Sequence, residues 1–94
     1  MKIVFIGNPG LSYGYKIFGI EPIPVTSKEE FLKAIEKVLR MNDIGIILLD
    51  SDFSSLVKDY IRNLKIKTTI PFIIEVPGLK SIPEMDIKLI SIKR

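Results

Sequence analysis

The sequence predicts an α/β fold, a small four-stranded parallel sheet flanked by helices. Three observations predict it. Apolar runs of strand length stand at Ile3–Gly7, Ile44–Leu49 and Ile70–Val76. They are continuous rather than alternating, the pattern of strands buried on both faces of a parallel sheet. Between them lie stretches with apolar residues at helical spacing, so strands and helices alternate along the chain.

The elements follow in order. Ile3-Val4-Phe5-Ile6-Gly7 is the first strand, ended by the turn signal Asn8-Pro9-Gly10. Residues 11–19 carry Leu11, Tyr15 and Phe18 at i, i+4 and i+7, a short helix that Gly19 can close. Ile20 to Val25 holds Pro22 and Pro24. Proline donates nothing to a ladder, so this segment is at best a short edge strand. Ser27-Lys28-Glu29-Glu30 is a capping box in which the serine caps a new helix and Glu30 reaches back to the serine amide. Phe31, Ile35 and Val38, supported by Leu39, form that helix's apolar stripe, and Asn42-Asp43 breaks it. Ile44 to Leu49 is the central buried strand. Asp50-Ser51-Asp52 punctuates it, and Ser51 or Asp52 can cap the next helix. That helix places Leu56, Tyr60 and Leu64 on one stripe beside Val57 and Ile61, and ends near Lys65, where positive charge suits the dipole. Ile70–Val76 is the fourth strand, closed by Pro77-Gly78. Right-handed crossovers then give strand order 2-1-3-4, as in a truncated Rossmann or flavodoxin-like sheet.

The chain of 94 residues has room for one domain, read as residues 1–78, followed by a tail, 79–94. With 47% hydrophobic and 27% charged residues it is a globular sequence, not a disordered one. It contains no histidine and no cysteine. That excludes Ser-His-Asp and Cys-His nucleophilic sites, Cys/His zinc sites and disulfides. No run approaches the ~18 apolar residues a membrane span needs, and the apolar start is too short for a signal peptide. The expectation is a cytoplasmic chain with no direct membrane insertion. The net charge of +3 is uneven. Residues 1–52 carry 6 basic and 7 acidic side chains; residues 53–94 carry 8 basic and 4 acidic. This basic excess lacks the dense, aromatic-interleaved pattern of a nucleic-acid module, so no nucleic-acid partner is expected.

The tail reads in two ways. Pro83, Glu84 and Asp86 early, with Lys93 and Arg94 late, favour a helix with Met85, Leu89 and Ile92 as its stripe. Met85-Asp86-Ile87-Lys88-Leu89 also alternates like a strand. In either form Ile82, Met85, Ile87, Leu89, Ile90 and Ile92 need cover, from the sheet edge or from another protein. With Leu79 and Lys80 they are the expected partner-contact residues, joined by the basic side chains flanking the third helix and fourth strand.

Ligands of doubly wound sheets bind outside the carboxyl ends of the strands. Gly7-Asn8-Pro9-Gly10-Leu11-Ser12-Tyr13-Gly14 opens a helix there, but it lacks the G-x-G-x-x-G spacing and the Gly-Lys-Ser/Thr of phosphate loops. Asp50 sits where a phospho-acceptor receiver domain has its aspartate, but the loop after the first strand lacks the acidic pair that would hold Mg²⁺. Asp50 and Asp52 are better read as helix-start residues than as a catalytic pair, and Tyr13, Tyr15 and Tyr60 as packing residues. No catalytic, cofactor-binding or metal-binding residue is expected. A receiver-like signalling or anion-binding module is the alternative reading.

Met1-Lys2-Ile3-Val4-Phe5-Ile6-Gly7, followed by Tyr13-Gly14-Tyr15-Lys16-Ile17-Phe18-Gly19-Ile20, resembles the "IGD…GFRLAGV" start of the F subunit of archaeal A-type and vacuolar-type ATP synthases. Asp43 to Leu49 is similar to that family's "DIGIILI" strand, and Pro71 to Gly78 to its "P-x-I-V-E-I-P" segment. The matches run in order over residues 1–80. The resemblance implies a non-catalytic component of the central rotor stalk, with a small Rossmann-like domain and a C-terminal tail. It implies docking on the coiled coil of the D subunit and, through it, coupling of the A/B catalytic ring to the membrane rotor. It also implies a location in the cytoplasm, peripheral to the cell membrane as part of the complex. Two departures stand out. Asn8 replaces the usual acidic residue, and the tail of 16 residues from Leu79 is shorter than the family's usual terminal helix.

Overall fold

Every strand of the sheet points the same way, and the order is β2-β1-β3-β4. The structure, a computed structural model, describes residues 1–80. Its elements are β1 (Lys2–Gly7), α1 (Pro9–Ile17), β2 (Glu21–Pro24), α2 (Lys28–Leu39), β3 (Ile44–Asp50), α3 (Ser51–Ser54), a 3-10 turn (Ser55–Val57), α4 (Lys58–Lys67) and β4 (Phe72–Val76). The expected fold class and strand order are therefore those observed. Ile82, Met85, Ile87, Leu89, Ile90 and Ile92 lie outside the described residues.

Register decides which side chains share a face. Val4 pairs with Ile47 and Ile47 with Ile73, while Ile6 pairs with Leu49. This row meets Phe31, Ala34, Ile35 and Val38 of α2 and Ile61 of α4, and together they form the core. The next row, Ile3–Ile46–Phe72 and Phe5–Leu48–Ile74, points the other way. There α1 covers Phe5, whose ring stacks on Tyr15 at 4.3 Å between centroids. Right-handed crossovers explain the split: β1 to β2 runs against the direction of β2 to β3 and β3 to β4, so among the described helices α1 lies alone on its face.

Several local expectations are corrected. Helix α1 begins at Pro9, two residues before Leu11, because the Asn8 side chain accepts from the Gly10 amide (2.7 Å) and proline suits a first helical position. It ends at Ile17, leaving Phe18 83% exposed instead of in the stripe, and Gly19 takes the left-handed turn at φ 81°. Tyr13 is 75% exposed and stands clear of the core, whereas Tyr15 and Tyr60 are partly buried as expected. The capping box forms with a shift. Ser27 Oγ accepts from the Glu30 amide (3.2 Å), but Glu30 Oε1 reaches the amide and hydroxyl of Thr26 (2.8 and 3.1 Å).

The helix after β3 is not one helix. Asp50, not Ser51 or Asp52, is its N-cap, and the short α3 passes through the 3-10 turn to Val57, whose backbone (φ −136°, ψ 45°) starts α4 anew. The break rotates the stripe, so Leu56 is exposed while Ile61 is buried and Tyr60 and Leu64 are half-buried.

Candidate functional site

The carboxyl ends of the strands, the expected ligand position of this topology, are closed by the chain's own groups. Asp50 is fully buried, with Oδ2 accepting from the Asn8 amide and Oδ1 from the Asp52 amide, both at 2.9 Å. The first bond ties the β1–α1 loop to β3; the second caps α3. An anion at the start of α1 would meet a carboxylate already placed against the Asn8 amide. Asp50 is thus a structural clamp, its oxygens taken up by backbone amides rather than by a base or nucleophile. Among the described residues no cluster of carboxylates is arranged to hold a metal ion.

The clamp extends to the chain leaving β4. Gly78 N donates to Ser51 Oγ and Lys80 N to Asp52 Oδ2, each at 3.2 Å. Gly78 is buried against the carboxylates of Asp50 and Asp52, and a Cβ there would collide with both. Pro77-Gly78 therefore turns the chain back across the strand ends. Leu79 is brought beside Gly10 at the start of α1, its Cδ1 3.6 Å from where a Cβ would stand. Burial, and after it the charge of Asp50, pushes the Tyr15 hydroxyl above the usual tyrosine value, which keeps that ring a neutral packing group.

A second polar group lies on the α4 side. Glu75 accepts from Lys65 Nζ (2.8 Å) and Ser54 Oγ (2.6 Å). These bonds hold its carboxyl below the ordinary glutamate value. With Lys58 and Arg62 they rim a shallow depression of about 310 Å³. The basic side chains expected at an interface are therefore gathered on α4, with Lys65 neutralised by Glu75 and Arg62 by Asp59 (2.6 Å).

A third exposed feature among the described residues is apolar. On the face that α1 covers only in part, Phe72 is 63% exposed, Ile74 45% and Ile3 36%. Below them Met1, Ile3, Ile46, Ile70 and Phe72 line a second depression of about 310 Å³. Three neighbouring strands thus present one contiguous greasy row, which in a folded protein marks a surface meant to be covered. Sequence reading did not find it, because Phe72 and Ile74 sit in a run that looks buried on both sides. The signal was available in the strand order, which leaves one helix for half of the sheet. Of the expected contact residues, Leu79 lies beside Gly10 at the start of α1, and Lys80 donates its amide to Asp52 at the start of α3.

The described residues form a small doubly wound α/β domain with an exposed apolar row on one sheet face and strand ends closed by its own groups. The chain belongs to the family described as ATP synthase (F/14-kDa) subunit, whose model matches residues 3–92. It is 28% identical over 89 residues to the A-type ATP synthase F subunit of Archaeoglobus fulgidus, covering 94% of this chain and 88% of that one. It is 31% identical over 78 residues to the A-type ATP synthase F subunit of Methanococcus aeolicus, covering 82% and 74%. The crystal structure of the V-type ATP synthase F subunit of Archaeoglobus fulgidus superposes with a TM-score of 0.68 at 28% identity, covering 80% of this chain and 95% of that one. The resemblance read from the sequence is thereby established, and the membership agrees with the expectation of a component without catalysis of its own. No helix among the described residues is long and apolar enough to cross a membrane.

Proposed function

We propose that this chain is the non-catalytic F subunit of a rotary A/V-type ATP synthase, held in the central stalk by the D subunit. In this reading it transmits torque rather than performing chemistry, helping to couple ATP synthesis or hydrolysis in the A/B ring to ion translocation at the membrane rotor. It works in the cytoplasm at the membrane's periphery. The observation that carries the reading is the family match across residues 3–92. The open apolar face and the closed strand ends support it, since a stalk component needs contact surface and stiffness.

The contact residues we assign are Leu79, Lys80, Ile82, Met85, Ile87, Leu89, Ile90 and Ile92, with Lys58, Arg62 and Lys65 of α4 as a basic flank. Deleting residues 79–94 is expected to weaken the complex with the D subunit, measured by titrating the purified partners. Unchanged affinity would remove the tail from the interface.

A further inference from the structure

Helix α1 turns an apolar surface away from the sheet. Its inner side is spent on the strands, with Ser12 buried and Tyr15 stacked on Phe5. Its outer side carries Tyr13, 75% exposed, and Ile17, 82% exposed, one helical turn apart, and Phe18, 83% exposed, follows at the cap. Single apolar side chains are ordinary on a protein surface, whereas three on one short helix make a patch. Aromatic side chains bury roughly 150–250 Å² each when covered. With Ile17 added, the patch supplies about half of the ~800 Å² that one partner gives to a stable interface.

Gly14 lies among these side chains, and its bare backbone has no cause within the described residues. A Cβ there would meet nothing within 4 Å, and Gly14 is not among the glycines with positive φ. Alanine would suit the helix better, since glycine in a helix interior costs conformational entropy. A partner backbone pressed against α1 gives the bare position a use, because the distance between packed helices is set by the side chains at their contact.

The neighbourhood of α1 says what the partner is. Val25 N donates to Gly7 O of β1, so the amides two and four residues earlier in β2 also point to β1. Positions 22 and 24 face the free edge, and both are proline. An added strand finds no donors there, which leaves a helix as the occupant. Pro22 and Pro24 line a groove against α1 together with Tyr13 and Lys16. Lys16 forms no ion pair among the described residues, so an acidic side chain on the incoming helix would be met by it. Leu79, beside Gly10, continues the apolar surface past the start of α1 to an expected contact residue. We infer, on the reading that the chain docks on the D subunit, that Tyr13, Gly14, Ile17 and Phe18 seat one helix of that subunit's coiled coil, its backbone over Gly14 and an acidic side chain at Lys16.

Calorimetric titration of the D subunit with full-length variants tests the seat. The unaltered chain is titrated first, and absence of any complex would defeat the docking reading and this seat with it. Given a complex, Gly14→Leu and Ile17→Ser are each expected to raise Kd at least about tenfold. Met41→Ser, exposed beyond α2 on the other face, should hold Kd within about twofold. Gly14→Ala separates contact from folding: it should raise the urea midpoint and still weaken binding, two changes of opposite sign that a purely structural role does not produce. Affinities of Gly14→Leu and Ile17→Ser within about twofold of the unaltered chain would overturn the seat on α1 and leave docking through another surface standing. So would a dimer of the free chain that Gly14→Leu converts to monomer, which would make a second copy the occupant.

Discussion

The two faces of this sheet are built from the same residue types and end in different states. On one, α2 and α4 seal Val4, Ile6, Ile47 and Leu49 at full burial. On the other, α1 reaches Phe5 through Tyr15 and leaves Ile3, Phe72 and Ile74 open. Composition does not separate the faces; topology does. A 2-1-3-4 order places two crossovers on one side and one on the other, and the thinly covered side is where a further element is needed. The two sheet edges repeat the lesson. Edge strand β2 carries Pro22 and Pro24, which withhold donors, and β4 carries no proline within Phe72–Val76.

Adjacent residues of β3 give the largest expected contrast. Ile47→Ala opens a cavity in the sealed core and should cost about 2–5 kcal/mol. Ile46→Ala, one residue away and facing the other way, should cost at least about 1 kcal/mol less, because less surface leaves water on folding. Urea unfolding of the two variants measures both, and equal losses would mean that the faces are equally packed. Next in size is the clamp that closes the ligand end. Asp50→Ala strips the acceptor from the Asn8 and Asp52 amides and should lower stability by about 1–3 kcal/mol, with Asp50→Asn losing less. Gly78→Ala should destabilise through collision with the same carboxylates by about 1–3 kcal/mol. Ser27→Ala removes the cap of α2 at a cost of about 1 kcal/mol. The same urea titrations read all three.

The smallest effect is electrostatic. The Glu75 carboxyl is held below its ordinary value by Lys65 and Ser54. Its stabilisation is complete above the ordinary glutamate value and is lost as the pH falls from there through the folded value. A half-exposed pair of this kind contributes at most about 1 kcal/mol. Lys65→Met should flatten the stability profile in that acid window, measured by thermal melts across pH, by lowering stability at neutral pH by at most about 1 kcal/mol and leaving it nearly unchanged below the folded value.

What the sequence made legible was what local pattern controls. Ile44–Leu49 and Ile3–Gly7 read correctly because parallel buried strands are continuously apolar, and α2 because its cap and stripe agree. The break at Val57 was hidden, since Leu56, Tyr60 and Leu64 keep helical spacing in the sequence while the backbone turns between them. The exposure of Phe18 and Tyr13 was hidden too, because α1 ends at Ile17 and packs on β1 and β2 with both of these side chains left outside. Asp50 was placed at a helix start, but its bond to Asn8 joins residues 42 apart, which no local pattern reports. The open face needed the strand order to be carried through to helix placement. Residues 79–94 read as a greasy tail in want of cover, and those after Lys80 lie outside the described residues.

The central proposal is that this chain docks on the D subunit of the stalk. Calorimetric titration of that partner with the full chain tests it most directly. The account predicts a one-to-one complex with submicromolar Kd, about −8 kcal/mol or stronger, and a negative heat-capacity change from buried apolar surface. Absence of a complex at concentrations far above that range would contradict it.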